Sequence, residues 1–184
     1  GADAFNSKDY AKAIEVFSKG YEANPTETQL ALYLAESHAE NGDLVSAFRI
    51  YDEMIALESR HSRYKAGADQ ARDKKVYYLT LHASDVAQKG NNTEAYRLLD
   101  EILANDPGNA YALMTKVQIA TNAEQWNRVI QWGDAAAAAQ TDANQQSDAY
   151  YLLGAAYQNT ENVAKAIETY RKVTAGNNVA NAKE

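Results

Sequence analysis

The chain has 184 residues, 46% of them apolar and 23% charged, with 25 acidic against 18 basic side chains and no cysteine. The net charge of −7 argues against nucleic acid as a partner, and the lack of thiols excludes disulfides, thiolate nucleophiles and thiolate metal sites. No apolar run approaches the roughly 18 residues of a membrane-crossing helix, so no membrane insertion is expected.

In chain order, the first recurring segment is Asp9-Tyr10-Ala11-Lys12-Ala13-Ile14-Glu15-Val16-Phe17-Ser18-Lys19-Gly20, ending in Asn24-Pro25. Its counterparts start at Asp43, at Asn91 (ending in Asp106-Pro107), at Trp126 and at Val163. A small residue stands at the heart of each copy: Ala13, Ala47, Ala95, Val129 and Ala166, spaced by 34, 48, 34 and 37 residues. A period of 34 with insertions of 14 and 3 is the mark of a repeat architecture. Apolar residues recur three and four apart within a copy, as in Ala166, Tyr170 and Val173, which is one face of a helix. A second helix is predicted ahead of each copy, over Leu30–Glu40, Val76–Lys89, Ala110–Asn122 and Asp148–Asn159. Short polar turns join the pairs, with Gly42 or Gly90 suited to a left-handed C-cap and Asp or Asn next suited to an N-cap.

About 14 extra residues are inserted around the stretch Arg60–Lys75, which carries six basic and two acidic side chains. With Ser62 as N-cap, the stretch is expected to extend the next helix and project from the stack. Its charge reads as a solvated face offsetting the acidic body, or alternatively as a patch for an acidic partner.

The segment Tyr150-Tyr151-Leu152-Leu153-Gly154-Ala155-Ala156-Tyr157, followed by Ala166-Ile167-Glu168-Thr169-Tyr170, carries Leu-Gly, Tyr, Ala and aromatic positions. In these the chain resembles the tetratricopeptide repeat family, over nearly its whole length and about four and a half repeats. It departs from the family pattern at Ser59, Thr141 and Asn178 (proline in the family), at Gly133 (aromatic), and at His82 and Lys116 (leucine). The resemblance implies an all-α fold, a right-handed superhelical array of antiparallel helix pairs forming a tetratricopeptide solenoid. The expected divisions are a half repeat over 1–27, repeats over 28–61, 76–109, 110–143 and 147–180, and the basic extension over 62–75. The half repeat would leave Ile14 and Phe17 without a cover, and Val179–Glu184 would begin a further helix. An uncapped end would permit a homodimer. The chain opens on glycine with no basic-then-apolar leader, so a trimmed start is expected, and the composition leans toward a bacterial periplasm or cell envelope, with cytoplasm left open.

There is no phosphate-cradling glycine loop, no His-Glu-x-x-His and no calcium loop. His38 and His82 could meet a third ligand such as Asp85 or Glu36, but core histidines are the plainer reading. The sequon Asn91-Asn92-Thr93 falls in an inter-helix turn. Neither catalytic residue, metal nor cofactor is expected, and the chain is not expected to be an enzyme.

In the family the first helices of the pairs line a concave groove. Periodicity maps that face onto Leu32, Glu36, Tyr77, Thr80, Tyr111, Met114, Gln118, Asn122, Tyr151 and Gln158 as ligand-contacting positions. The same face includes Gln29, Glu40, Ser84, Gln88, Asp148 and Ala155. Tyrosine supplies rigid apolar area with a polar tip, and carboxamides can satisfy the backbone of an extended ligand. The basic cluster with which some family members clamp a carboxylate is missing, so a neutral or apolar segment is expected. The function this implies is a non-enzymatic scaffold or adaptor for a protein or peptide partner. Glycan or small-ligand binding on the tyrosines, or self-association as a structural module, are the alternatives.

Overall fold

The computed structural model describes residues 1–183, and no β-strand occurs among them. The α-helices are α1 (Ala2–Asn6), α2 (Tyr10–Ala23), α3 (Thr28–Glu40), α4 (Leu44–Leu57), α5 (Lys65–Gln88), α6 (Asn92–Asn105), α7 (Ala110–Asn122), α8 (Trp126–Ala139), α9 (Ala143–Asn159) and α10 (Val163–Tyr170). Short 3-10 turns lie at Ser62–Tyr64 and Asn181–Lys183. The helices form two compact units, Gly1–Tyr78 and the residues from Leu79 on, with α5 contributing to both.

Five turns of one design connect the helices of each pair. Lys8, Gly42, Gly90, Glu124 and Glu161 all adopt positive φ, from 54° to 89°. In each turn that residue's N–H reaches the carbonyl three residues back, and the next N–H reaches the carbonyl five back, as in Gly42 to Ala39 and Asp43 to His38. These bonds satisfy carbonyls that the helix end leaves open. The residue that follows then starts the second helix: Asp9, Asp43, Asn91 and Asn162 accept, through their side chains, the N–H three residues on. Gln125 is the exception, since its side chain accepts the Tyr96 hydroxyl at 2.8 Å.

In the first unit α1 packs on α2, α2 on α3 and α3 on α4. The core holds Ala13, Phe17, Ala31, Leu34, Ala35, Ala47, Ile50, Tyr51 and Met54, each buried side chain of Leu or Ile size contributing about 1.5–3 kcal/mol. Phe17 is not left open as expected. Its ring stacks on Tyr33 at 5.5 Å and 11°, and Phe5 of the short α1 packs edge-on against the same tyrosine.

The extension ahead of α5 also departs from expectation, for it does not project. Tyr64, Gly67, Ala68 and Ala71 are buried, and a Cβ on Gly67 would stand 2.8 Å from Thr28, so the helix rests directly on α3. Four of its six basic side chains pair with carboxylates of this chain: Lys65 with Asp69, Arg72 with Glu58 and Asp69, Lys74 with Glu36, and Lys75 with Asp52. Much of the positive charge of this stretch is thus matched by carboxylates of the same chain.

In the second unit α6 packs on α7, α7 on α8, α8 on α9 and α9 on α10, while α7 and α9 also touch. Gly154 of α9 lets α10 come close, since a Cβ there would lie 2.6 Å from the Tyr170 ring. Lys116, at a leucine position of the family, is nearly buried. Its Nζ lies 2.5 Å from Asp100 Oδ1 and 4.1 Å from the centre of the Trp132 ring. α9 starts at Ala143 rather than Asp148, because the Asp142 side chain accepts the N–H groups of Asn144 and Gln145 and so caps it five residues earlier. Beyond α10 the chain turns back onto α9. The buried Ser147 Oγ accepts the N–H groups of Thr174 and Ala175, and Asn178 Nδ2 donates to Asp148 Oδ1 at 2.8 Å. The helix expected over Val179–Glu184 is only the turn at Asn181–Lys183, and Glu184 lies outside the described residues.

Candidate functional site

The second unit carries two clefts on the face formed by α5, α7 and α9. One, about 470 Å³, has Ser84 and Gln88 on the α5 side and Thr115, Gln118 and Asn122 on the α7 side. The other, about 390 Å³, has Tyr111, Met114 and Gln118 on the α7 side and Gln140, Gln145 and Asp148 across from them. Thr115 and Gln118 line both, so the clefts share the α7 ridge as a common wall. The helical repeat produces this directly: positions 111, 114, 118 and 122 stand three or four apart and fall on one stripe of α7.

All four mapped residues of α7 therefore lie along these clefts. The side chains there are uncharged except Asp148, which already accepts the Asn178 amide. Among the described residues, the carboxamides of Gln88, Gln118, Asn122 and Gln145 have no hydrogen-bond partner, whereas Gln140 donates to the carbonyls of Ala110 and Ala136. Tyr111 is 72% exposed, so its ring is open to a ligand on one side.

The remaining mapped positions separate from this group. Leu32 belongs to the core of the first unit, and Thr80 is buried within α5. Glu36, with its side chain 14% exposed, pairs with Lys74 at 3.0 Å, so the arrival of the α5 extension on α3 has turned this face inward. Those three are corrected from ligand contacts to packing or internal pairing. Tyr77 is exposed on the first unit and packs edge-on against Tyr78 at 5.1 Å. Tyr151 is half-buried against Tyr170 at 5.7 Å, and Gln158 accepts the Tyr170 hydroxyl at 2.9 Å. Burial, and then the neighbouring Tyr151, hold the Tyr170 phenol above its ordinary range. The sequence reading missed Gln140 and Gln145, whose signal was the Thr141-Asp142 cap ahead of a polar run.

His38 Nδ1 lies 3.1 Å from Asp43 Oδ2, on the turn between α3 and α4. Among the described residues no group of three His, Asp or Glu side chains gathers to hold a metal.

Comparison with known proteins fits this geometry. One tetratricopeptide repeat model matches residues 4–71 and another matches residues 147–175. No curated protein matches the chain. Among solved structures, a MamA described as the RS-1 ArsTM double mutant shares 17% identity over 94% of this chain and 87% of its own, with a TM-score of 0.53, a likeness of fold. A second MamA, AMB-1, gives 15% identity over 93% and 91%, with a TM-score of 0.49. YrrB, described as a TPR protein with an unusual peptide-binding site, gives 19% identity over 88% and 92%, with a TM-score of 0.48. With repeat models of one family matching both the early and the late part of the chain, and the helix pairs and turns repeating at that family's spacing, this chain belongs to the tetratricopeptide repeat family.

Proposed function

We propose that the chain is a protein-interaction scaffold that binds an extended, uncharged polypeptide segment along the α5–α7–α9 clefts of the second unit. The supporting observation is the set of four carboxamides without a hydrogen-bond partner among the described residues: Gln118 and Gln145 line the cleft of the exposed Tyr111, and Gln88 and Asn122 line the other. Carboxamides both donate and accept, which matches the alternating N–H and C=O groups of an extended backbone. Tyr111 and Met114 offer the apolar contact that fixes one side chain of the ligand. Among the described residues none that lines the clefts is basic, so charge is not the recognition element, and binding is expected to change little with added salt.

The test is a peptide array probed with the parent chain and with the Tyr111→Ala/Gln118→Ala double variant, the helicity of both checked by circular dichroism. Capture of uncharged peptides by the parent, lost in the variant at unchanged helicity, supports the reading. Equal capture by both overturns it. An exposed ring among carboxamides also suits sugar hydroxyls, so an oligosaccharide array probed alongside separates the second reading from the first.

A further inference from the structure

Away from these clefts, the turn between α3 and α4 holds the only asparagine in the sequence that is followed by glycine, Asn41-Gly42. Both residues are exposed, and no neighbouring atom lies within 4 Å of where a Gly42 Cβ would stand. The Asn41 carboxamide makes no hydrogen bond among the described residues. An asparagine so placed is open to attack by the next backbone nitrogen, because glycine brings no side chain to hinder the approach.

The native turn opposes that attack in two ways. Gly42 N–H donates to the Ala39 carbonyl at 3.0 Å, and Asp43 N–H donates to the His38 carbonyl at 2.9 Å. The Gly42 nitrogen must give up its hydrogen to become a nucleophile, and that hydrogen is engaged. Ring closure also requires this nitrogen to eclipse the Asn41 Cβ about the Cα–C bond. At ψ 1° it eclipses Asn41's own backbone nitrogen instead, which leaves Cγ out of its reach. The turn must therefore open before nitrogen and carboxamide can meet.

We propose that Asn41 is a deamidation site whose reaction is gated by opening of the α3–α4 turn. In the opened turn the Gly42 nitrogen loses its hydrogen to a solvent base and attacks Asn41 Cγ. The N–Cγ bond forms, the Cγ–Nδ2 bond breaks, and Nδ2 takes up a proton and leaves as ammonia. Water then opens the five-membered imide, giving aspartate by addition at the side-chain carbonyl and isoaspartate by addition at the main-chain carbonyl. Isoaspartate places one extra carbon in the main chain inside both hydrogen-bonded rings of the turn. The product cannot re-form the closure that protected the reactant.

The test follows the full chain by peptide mapping near neutral pH, folded and in guanidinium chloride. Mass spectrometry reads the amide-to-acid conversion at Asn41, and isoaspartyl methyltransferase with labelled methyl donor reads isoaspartate. The folded chain should react at least about tenfold more slowly than the unfolded one, as closure by two hydrogen bonds implies. Asp43→Ala removes the side-chain bond to the Ser46 N–H that starts α4 and should speed the folded-state reaction about fivefold. Equal rates in the folded and unfolded parent overturn the gating, as does a folded Asp43→Ala variant that reacts no faster than the parent. An Asn41 that stays intact in the unfolded chain overturns the site itself. Should Asp43→Ala not fold, the two states of the parent decide alone.

Discussion

Lys116 offers a case where two effects can be weighed against each other. Its side chain is 7% exposed, its ammonium sits over the Trp132 ring, and its ion-pair partner Asp100 is 59% exposed. Truncation to alanine removes three buried methylenes, worth about 0.8 kcal/mol each and about 2.4 kcal/mol together, before any cavity term. The cation over tryptophan adds about 0.5–2 kcal/mol, and the pair with a solvent-exposed carboxylate adds little. Lys116→Ala should therefore cost about 3–4 kcal/mol. Lys116→Met keeps most of the buried volume and leaves Asp100 hydrated, so its loss should be about 1 kcal/mol or less. Urea unfolding followed by circular dichroism reads both, as shifts in midpoint at constant slope. If the methionine variant is as damaging as the alanine variant, charge rather than packing holds this position and the reasoning is refuted. A loss below about 1 kcal/mol for alanine would equally show that the stem is not packed.

Tyr111→Ala should leave stability within about 0.5 kcal/mol, because the ring is mostly exposed, while weakening a captured peptide by at least about fivefold by titration calorimetry. Gly154→Ala gains about 1 kcal/mol of helix propensity but drives a methyl into the rigid Tyr170 ring, for a net loss of about 1–2 kcal/mol; a raised melting temperature would contradict the packing described. Hydrogen bonds from Ser46, with His38 adding a smaller effect, hold the Asp43 carboxyl below its usual range. Its stabilising contribution is present above the unfolded-chain value of about 3.9 and lost as pH falls through the folded value, so Asp43→Asn should flatten the acid limb of urea unfolding. Tyr21 is shifted the other way, pushed up to about 12 by burial and by its bond to Glu53. The contribution is intact below about pH 10 and disappears as pH rises toward about 12, and Tyr21→Phe should blunt that alkaline loss.

The repeat was legible in the sequence because its determinants are local. Asp9, Asp43, Asn91 and Asn162 each bond an N–H three residues on, so each cap announces a helix from within one turn of chain. The start of α9 was less legible because Asn144, Gln145 and Gln146 carry no apolar periodicity, and only the Asp142 cap marked it. On α7 the groove stripe could be read, since Tyr111, Met114, Gln118 and Asn122 need only the helical period to share a face. On α3 it could not, because the fate of Leu32 and Glu36 depends on a helix arriving from later in the chain. A signal for that arrival did exist: Tyr64, Gly67, Ala68 and Ala71 recur at helical spacing and, being small after the first, form a stripe suited to close packing.

The five left-handed turns imply where the gene can change length. Each intra-pair turn is closed by two backbone bonds of fixed ring size and by one residue at positive φ, so adding or removing a residue there would break both bonds together. The connection from the second helix of one pair to the first helix of the next has no such closure. Both length changes in this chain fall between one pair and the next and go chiefly into the first helix of the following pair, α5 with 24 residues and α9 with 17 against 13 in α3 and α7, while every intra-pair turn keeps its length. Insertions, tags and grafted loops should accordingly be accepted between pairs and rejected within them, which makes the turn the repeat's fixed punctuation and the inter-pair link its editable text.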